Sequence, residues 1–320
     1  MITISVCMIV KDEESVLARC LDSLKEIADE IIIVDTGSTD KTKKIATGYT
    51  DKIYDYKWEN DFAAARNFSF SKATGQYIYQ ADADEVIDEE NRRKFMQLKE
   101  ILLPEIDIVQ MLYSGQLNQG TVYNFDEEYR PKLFKRLREF VWMDRVHESV
   151  RLMPVVYDSE IRVLHLPERN HSERDFSIFE KMGENGERLS KKLHHMYAQE
   201  LFISGEDKDF LPAERVFRYT FSDDSRDMDE KAEAACVLAR CARIKDDIPM
   251  FFKYALKNIA SGGCAEMCYE LGMYYYQNND LDEAEAWFTT AVSGIESILA
   301  LKYAEKLAPE MLEKIKAQRL

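Results

Sequence analysis

The chain contains the stretch Gln76-Tyr77-Ile78-Tyr79-Gln80-Ala81-Asp82-Ala83-Asp84-Glu85, in which an acidic tetrad directly follows a short apolar run. The apolar run predicts a strand over residues 76–81, and ligands of α/β sheets bind at the carboxyl ends of such strands. Carboxylate oxygens suit Mg²⁺ or Mn²⁺, cations that also hold phosphates. The tetrad therefore predicts a site for a divalent cation and a phosphorylated donor, with a solvated acidic turn as the alternative.

Around this stretch, the first 115 residues alternate short apolar runs with helical patterns. Residues 31–34 are an unbroken β-branched run, as expected for a parallel strand that is buried on both faces. Strands that alternate with helices at this spacing predict βαβ units and a mostly parallel sheet. The predicted strands lie at residues 2–10, 31–34, 52–56 and 76–81, and the predicted helices at 16–24, 41–46 and 63–72.

A change of pattern marks a second domain. Strand-like runs at residues 107–113 and 160–166 continue the first domain, with a lid or an extension of the sheet expected between them, and helical patterns take over from residue 172. Leu238 and Ala239 precede Leu271 and Gly272 by 33 residues, and about three helical hairpins fit the available length. We predict an α/β domain at residues 1–170 and an all-α, tetratricopeptide-like domain at 171–320. The positions that match the tetratricopeptide template in register are Leu271, Gly272, Tyr275, Ala284, Phe288 and Ala291.

Composition narrows the classes of partner. The formal net charge of −16 argues against nucleic acid or an anionic membrane, because both select basic surfaces. No apolar stretch approaches the roughly 20 residues of a membrane-spanning helix. The first residues also lack the basic segment of a signal peptide. We expect a cytoplasmic protein whose six cysteines, including Cys264 and Cys268 one helical turn apart, are reduced core thiols.

Three of the predicted strands are followed by carboxylates. Glu13 follows the first strand, Asp35 the second, and Asp82 and Asp84 the fourth. Because parallel strands place their carboxyl ends along one edge of a sheet, we expect these groups to crowd one crevice. A cation or the hydrogen-bond donors of a ligand would relieve their repulsion, with a sugar or base at Glu13 and Asp35 and a metal at Asp84. A helix-capping role in its own turn is the alternative for Asp35.

Four segments carry a resemblance to a known family. Together they resemble family 2 glycosyltransferases of the GT-A fold, in the branch with C-terminal tetratricopeptide helices that includes sublancin-type peptide S-glycosyltransferases. The resemblance is strongest over residues 4–88 and implies a Rossmann-like catalytic domain. In chain order, the segments are Cys7-Met8-Ile9-Val10-Lys11-Asp12-Glu13-Glu14, Ile33-Val34-Asp35-Thr36-Gly37-Ser38-Thr39-Asp40, Asn60-Asp61-Phe62-Ala63-Ala64-Ala65-Arg66-Asn67 and Asp82-Ala83-Asp84.

The resemblance also implies a reaction and roles for residues. It implies an inverting transfer of a sugar from a nucleotide-diphosphate donor, with UDP as the expected nucleotide. Such a transfer needs a base at the acceptor and a metal, Mn²⁺ or Mg²⁺, at the departing diphosphate. By this resemblance Asp84 would bind the metal, Asp82 the ribose, and Arg66 the nucleotide or its diphosphate. The nucleotide-sugar pocket would be completed by Val10, Glu13, Asp35 and Ala83.

Residues 130–151 reverse the sign of the local charge. Seven basic residues face three acids there, a formal +4 inside a chain of −16. We predict a phosphate-facing lid, with a solvated charged surface as the alternative. His147 is a candidate metal ligand and Glu148 the candidate catalytic base, and a structural hydrogen-bonding pair is the alternative for both. Asp144 and Asp61 are rival bases.

These observations give one leading hypothesis and several alternatives. The leading hypothesis is a metal-dependent glycosyltransferase that acts on a hydroxyl or thiol of a peptide, protein or glycan. A lipid-linked or surface oligosaccharide is a rival acceptor, and a non-catalytic peptide-binding protein is the rival class. The helical domain is also a candidate homodimer interface. The role of Glu85 is left open, and the remaining histidines, His165 among them, are predicted to be structural.

Overall fold

The computed structural model describes residues 1–114, 127–138, 142–143, 149–151, 153–167 and 172–319. These residues form two compact units, and the change from the first to the second falls at residue 170. The first unit contains a sheet with flanking helices, and the second contains helices. Each unit has a hydrophobic core of its own.

The first half of the α/β unit consists of the predicted βαβ repeats. Its strands are β1 (Ile4–Val10), β2 (Glu30–Asp35), β3 (Ile53–Asp55) and β4 (Tyr77–Ala81), with helices α1 (Leu17–Leu24), α2 (Thr42–Ala46) and α3 (Phe62–Ser71) between them. β1 pairs in parallel with both β2 and β4, and β2 pairs in parallel with β3. Val10 lies opposite Asp35 in this register, and Met8 lies opposite Ala81. The carboxyl ends of these strands therefore share one edge of the sheet, as the sequence predicts.

The second half of the unit makes the sheet mixed. It adds β5 (Glu85–Val86), α4 (Glu89–Ile101), β6 (Ile108–Ser114), β7 (Glu127–Lys135), β8 (Trp142–Met143), β9 (Ser149–Val150) and β10 (Val156–His165). Among the described residues the main sheet has eight strands in the order β3-β2-β1-β4-β7-β6-β10-β5, and β8 pairs with β9. β7 runs antiparallel to both β4 and β6, whereas β10 runs parallel to β6. The strands β4 and β10 consequently point the same way.

The position of β7 favours the predicted sheet extension over the predicted lid for the first part of the basic segment. The first part of the basic segment is an interior strand of the sheet, with Ile78 of β4 opposite Phe134 and Val109 of β6 opposite Leu133. Lys132 is buried in this strand at 2% exposure. The charges misled the prediction because a strand can bury cations whose counterions come from other elements, which local composition does not show.

The core of the α/β unit follows the alternation of side chains along its strands. Val6 and Met8 of β1 belong to the larger cluster, which includes the buried faces of α1 and α4. Cys7 points to the opposite face and packs with Ile32 and Ile78. Successive side chains of a strand point to opposite faces of a sheet, so this arrangement places helices on both sides.

The helical unit begins with α5 and ends with α12. Its elements are α5 (Ser172–Glu184), α6 (Lys191–Ser204), α7 (Asp207–Ser222), α8 (Met228–Ile244), α9 (Ile248–Ala260), α10 (Ala265–Gln277), α11 (Leu281–Val292), a π-helical turn (Tyr303–Leu307) and α12 (Ala308–Gln318). α8 with α9, and α10 with α11, form successive helical hairpins. α6 meets α7 through aromatic rings, with ring centroids 5.3 Å apart for Tyr197 and Phe217. None of the helices described here has the length and apolar character that crossing a bilayer requires.

The hairpin of α10 and α11 explains the best-matching repeat positions. Phe288 is fully buried, and a Cβ added at Gly272 would lie 2.6 Å from its ring. Asn279, in the turn between the helices, has a φ of 61°, a conformation that asparagine tolerates better than most residues. Asp280 then caps α11 by accepting a hydrogen bond from the Glu283 amide at 3.2 Å. The glycine is therefore required by the close approach of the two helices.

Candidate active site

The segment Asp82-Ala83-Asp84 is held at both ends by the sheet. Before it lies β4, and after it β5 pairs antiparallel with the end of β10, so that His165 is opposite Glu85. The Leu166 amide donates to the carbonyl oxygen of Asp84 at 2.9 Å. Short strands that close on a distant partner fix the backbone of the residues between them. The acidic segment is therefore a rigid part of the sheet edge and not a solvated turn.

Asp84 lies against His165, which is predicted from the sequence to be structural. The Nε2 atom of His165 is 3.1 Å from Oδ2 of Asp84, and both side chains are largely buried. The His165 ring lies 5.2 Å from the Tyr113 ring. Its Nδ1 atom is buried and makes no hydrogen bond with the residues described, so Asp84 and Tyr113 orient the imidazole. The signal that points to His165 is its place at the end of the predicted strand 160–166, since β10 runs parallel to β4.

Asp82 is placed among positive charges. Its carboxylate lies 3.5 Å from Nη2 of Arg66 on α3 and 3.9 Å from Nζ of Lys132 on β7. Burial opposes ionisation of this carboxyl, but the charges of Lys132 and Arg66 outweigh burial and lower the pKa of Asp82. The side chain keeps 42% exposure, so an ionised oxygen remains available to a ligand. The structure thus brings together Arg66 and Asp82, two of the predicted site residues.

Glu85 has a structural role that the sequence did not indicate. Its carboxylate forms a salt bridge with Lys132, and the two side chains are 3% and 2% exposed. Its other oxygen accepts a hydrogen bond from the Asp82 amide at 3.2 Å. Burial raises the pKa of Glu85 to about 7, and the charge of Asp82 adds to this effect while Lys132 opposes it. Glu85 therefore anchors the backbone of the acidic segment from below the sheet edge.

The turn after β2 is organised by Asp35, which is 1% exposed. Its Oδ1 atom accepts hydrogen bonds from the amides of Gly37 and Ser38, both at 2.9 Å. The capping alternative for Asp35 is therefore seen, although the residue caps its turn and not α2 itself. The Oδ2 atom is buried and has no partner among the described residues, so it still needs a donor. The neighbouring Val10 carbonyl accepts a hydrogen bond from the Thr36 amide at 3.0 Å.

The loop after β1 is fastened to the turn after β2. The Thr39 amide donates to Oδ1 of Asp12 at 2.6 Å, and the Asp12 amide donates to Oγ of Ser38 at 2.9 Å. The Glu13 amide donates to Oγ1 of Thr42 at 2.7 Å. Asp12 adopts a φ of 55°, which turns the chain sharply at the end of β1. The acids of these two loops thus bind backbone amides of each other's loop, and a cation is not needed to keep them together.

The described arginines of the basic segment make hydrogen bonds and ion pairs within the α/β unit. Nε of Arg136 donates to the Gly75 carbonyl at 2.6 Å, and Nη2 of Arg138 donates to the Met153 carbonyl at 2.6 Å. Arg151 lies 3.2 Å from the buried carboxylate of Asp107. These contacts give the cations a role in holding loops to the sheet. They replace the predicted phosphate-facing surface for this part of the segment.

Of the three candidate bases, the structure describes only Asp61. Asp61 is the N-cap of α3, and its Oδ1 atom accepts a hydrogen bond from the Ala64 amide at 2.9 Å. Glu148, Asp144 and the candidate metal ligand His147 lie outside the described residues. The assignment of the base therefore stays a prediction. Ala83, the middle residue of the acidic segment, is buried at 4% exposure.

The donors at Asp84 and His165 fit a divalent cation. Carboxylate oxygen and imidazole nitrogen are both ligands of Mn²⁺, and Mg²⁺ sites typically combine one or two protein carboxylates with substrate phosphates. In the part of the chain that the structure describes, no group of three or more His, Cys, Asp or Glu side chains is arranged to hold a metal. Two protein donors are compatible with a site that a diphosphate completes.

The model of the family described as "Glycosyl transferase family 2" matches residues 5–153, which include β1 to β4 and the acidic segment. The chain carries a family 2 glycosyltransferase domain. The mixed sheet of this glycosyltransferase domain and the helical unit that follows it confirm the predicted GT-A fold class and the predicted family resemblance.

Several known proteins resemble part of this chain. The TPR repeat-containing protein of Synechococcus elongatus is 49% identical over 85 residues, which cover 27% of this chain and 21% of that protein. The SPbeta prophage-derived glycosyltransferase SunS of Bacillus subtilis is 32% identical over 149 residues, which cover 46% of this chain and 34% of that protein. The chain thus spans about a third or less of the length of these two curated relatives.

Solved structures also resemble part of the chain at low sequence identity. The glucosyl-3-phosphoglycerate synthase of Mycobacterium tuberculosis, in complex with Mn²⁺ and uridine-diphosphate-glucose, has a TM-score of 0.41 at 16% identity. That alignment covers 59% of this chain and 81% of the other.

Proposed function

We propose that the chain is a metal-dependent glycosyltransferase that moves a sugar from a nucleotide diphosphate, with UDP as the expected nucleotide. The observation that carries this proposal is the rigid placement of Asp84 against His165 at the edge of a family 2 glycosyltransferase domain. A carboxylate and an imidazole held at a sheet edge provide two ligand atoms for a cation, and the oxygens of a diphosphate can complete its coordination.

The proposal gives each side chain near Asp84 a role. Asp84 and His165 would hold Mn²⁺ or Mg²⁺, and His147, which lies outside the described residues, stays a predicted further ligand. Such a cation, when bound, stabilises the negative charge of the departing diphosphate. Arg66 neutralises Asp82 at 3.5 Å and can turn toward a phosphate, because its guanidinium binds phosphate oxygens in a bidentate manner. Asp82 itself keeps an exposed oxygen for the ribose hydroxyls.

The nucleotide base is proposed to lie over the fastened loops of β1 and β2. No described residue donates a hydrogen bond to Oδ2 of Asp35, and Glu13 and Val10 belong to the same pair of loops. Because Oδ2 is buried, a ligand reaches it only if the turn over it shifts. Ala83 offers its backbone beside the sugar. The pairing of Val10 with Asp35 on neighbouring strands supports this placement of the base.

The acceptor is proposed to be a peptide, protein or glycan, and Glu148 the base that removes its proton. The helical repeats favour a peptide, because stacked helical hairpins form extended binding surfaces. A lipid-linked or surface oligosaccharide is the second candidate acceptor. A homodimer through the helical unit would use the same surfaces, and size-exclusion chromatography of the full chain distinguishes the two uses.

Metal binding gives the sharpest test. We expect Mn²⁺ affinity, measured by calorimetry in the presence of UDP, to fall at least about tenfold in Asp84→Asn and in His165→Gln. Asp22→Asn on α1 is the matched control, because its carboxylate is 60% exposed, lies 3.8 Å from Nζ of Lys25 and belongs to none of the proposed binding groups. Release of UDP from UDP-sugars should need Mn²⁺ in the wild type and vanish in Asp84→Asn. Unchanged Mn²⁺ affinity in both variants would refute the assigned ligands.

A further inference from the structure

The outer face of α7 borders a cavity of about 640 Å³ in the helical unit. Its lining includes Leu211, Glu214, Arg215, Arg218, Tyr219 and Lys245. Three cationic side chains and one carboxylate give this lining a formal charge of +2, in a chain whose net charge is −16. We call this lined cavity the α7 groove. Its positive charges attract an anionic partner at short range, where salt screens the rest of the chain's negative charge.

The single acid of the groove is already neutralised. Glu214 forms ion pairs with both Arg218 and Lys245. Burial opposes its ionisation, but these two cations lower the pKa of Glu214, so the carboxylate stays charged and paired. Arg215 is different, since it is exposed and makes no hydrogen bond or ion pair in the part of the chain described here. Its five N–H donors are free to bind a carboxylate.

The groove also has an apolar side. Tyr219 is 72% exposed and Leu211 is 37% exposed. Tyr219 additionally lines a second cavity of about 260 Å³, which Val216 and Gly183 also line. An exposed aromatic ring between two cavities is a typical anchor for a bound chain, because it offers a large contact area at little cost in conformational entropy.

We propose that this groove on α7 binds a peptide segment in which acidic residues alternate with apolar ones. Its carboxylates would pair with Arg215 and approach the cations at Arg218 and Lys245, while its apolar side chains would occupy the cavities beside Tyr219. Nucleic acid fits less well, because its recognition uses larger basic surfaces than three side chains provide. The groove belongs to the helical unit, and the binding of the peptide does not depend on transfer activity.

The test uses the full chain and a fluorescein-labelled peptide that alternates glutamate with leucine, with fluorescence anisotropy as the readout. Arg215→Glu should weaken binding at least about tenfold, which is about 1.4 kcal/mol. Tyr219→Ala should also weaken it, and added salt should do the same because exposed charges are screened. Lys192→Glu is the matched control, because Lys192 on α6 is exposed, has no partner among the described residues and carries the same change of charge.

The outcomes separate the alternatives. Binding that is lost in Arg215→Glu and kept in Lys192→Glu supports the site. Equal loss in both variants would show a general charge effect and overturn the proposal. So would equal binding of the same peptide with lysine in place of glutamate, or of an oligonucleotide of equal charge. Arg215→Glu should unfold at the wild-type urea midpoint, because the exposed Arg215 side chain makes no hydrogen bond or ion pair with the described residues. An unchanged midpoint would show that lost binding does not come from misfolding.

Discussion

The turn after β2 allows its structural role to be separated from ligand binding at a single residue. Asp35→Ala removes the oxygen that accepts hydrogen bonds from Gly37 and Ser38, whereas Asp35→Asn keeps an oxygen in that place. In the asparagine variant an amide NH₂ group replaces the buried Oδ2 atom. The same position thus yields one variant that disturbs the turn and one that disturbs only the free acceptor.

The expected magnitudes follow from the exposure of the two amide donors. Gly37 is exposed and Ser38 is half-buried, so water partly replaces the lost acceptor after Asp35→Ala. The loss should therefore resemble that of a helix cap, about 1–2 kcal/mol in the free energy of unfolding. Asp35→Asn should cost less stability than Asp35→Ala, because its oxygen can still accept the hydrogen bonds from the Gly37 and Ser38 amides. If Oδ2 accepts a donor of the base, Asp35→Asn should weaken UDP binding at least about tenfold, because a donor then faces a donor.

Urea denaturation measures the first effect and calorimetry with UDP the second. Asp51 is exposed and lies two positions before β3. Asp51→Asn therefore controls for the chemical change and should alter neither the stability nor the UDP affinity. If Asp35→Asn lost as much stability as Asp35→Ala, the capping role would be wrong. If it bound UDP as the wild type does, the base-pocket assignment would be wrong, and the cap would be the whole explanation for this residue.

Three further predictions concern the helical unit and the thiols. Gly272→Ala should lower the free energy of unfolding by about 1–2 kcal/mol, because the clash with Phe288 exceeds the gain in helix propensity, and Phe288→Leu in the same chain should restore part of the loss. The hydrogen bond to Glu233 raises the pKa of His195 above 6.5, so its contribution is complete below that pH and disappears as the pH rises through the raised value. The stability difference between wild type and His195→Gln, about 1 kcal/mol or less for this half-exposed pair, should therefore be larger at about pH 6 than at about pH 9 in denaturation curves, and an equal difference at both would contradict the pairing. Burial raises the pKa of Cys268 to about 12 and all six cysteines are buried, so a thiol reagent should label the protein only as it unfolds.

The first four strands could be predicted because their signals are local. The run at residues 31–34 and the turn residues around Asp35 specify a buried strand and its end without any knowledge of distant residues. β5 and α4 have weaker signals. β5 has only two residues, and α4 is a largely polar helix whose buried face rests on residues such as Phe95 and Leu98. Short or polar elements acquire their stability from tertiary packing, which local patterns do not record.

Within the candidate site, the motif residues could be predicted and their partners could not. Asp84 is identifiable from its neighbours in the sequence, whereas His165 is 81 positions away and reaches Asp84 through the pairing of β5 with β10. The pair of Glu85 and Lys132 likewise joins residues of different strands, 47 positions apart. For the thiols, the predicted burial of Cys264 is confirmed, but its nearest sulfur is that of Cys236 at 3.3 Å and not that of Cys268.

The pairing of β5 with β10 also sets the smallest fragment that can keep the acidic segment in place. The family match ends at residue 153, before β10 begins at Val156. A polypeptide cut at the end of that match would retain every quoted motif and still lose the strand on which Asp84 is fastened, together with His165. During synthesis on the ribosome, the edge that carries Asp84 is therefore completed only after β10 has emerged, so the motifs are made early and the proposed cation site is assembled late.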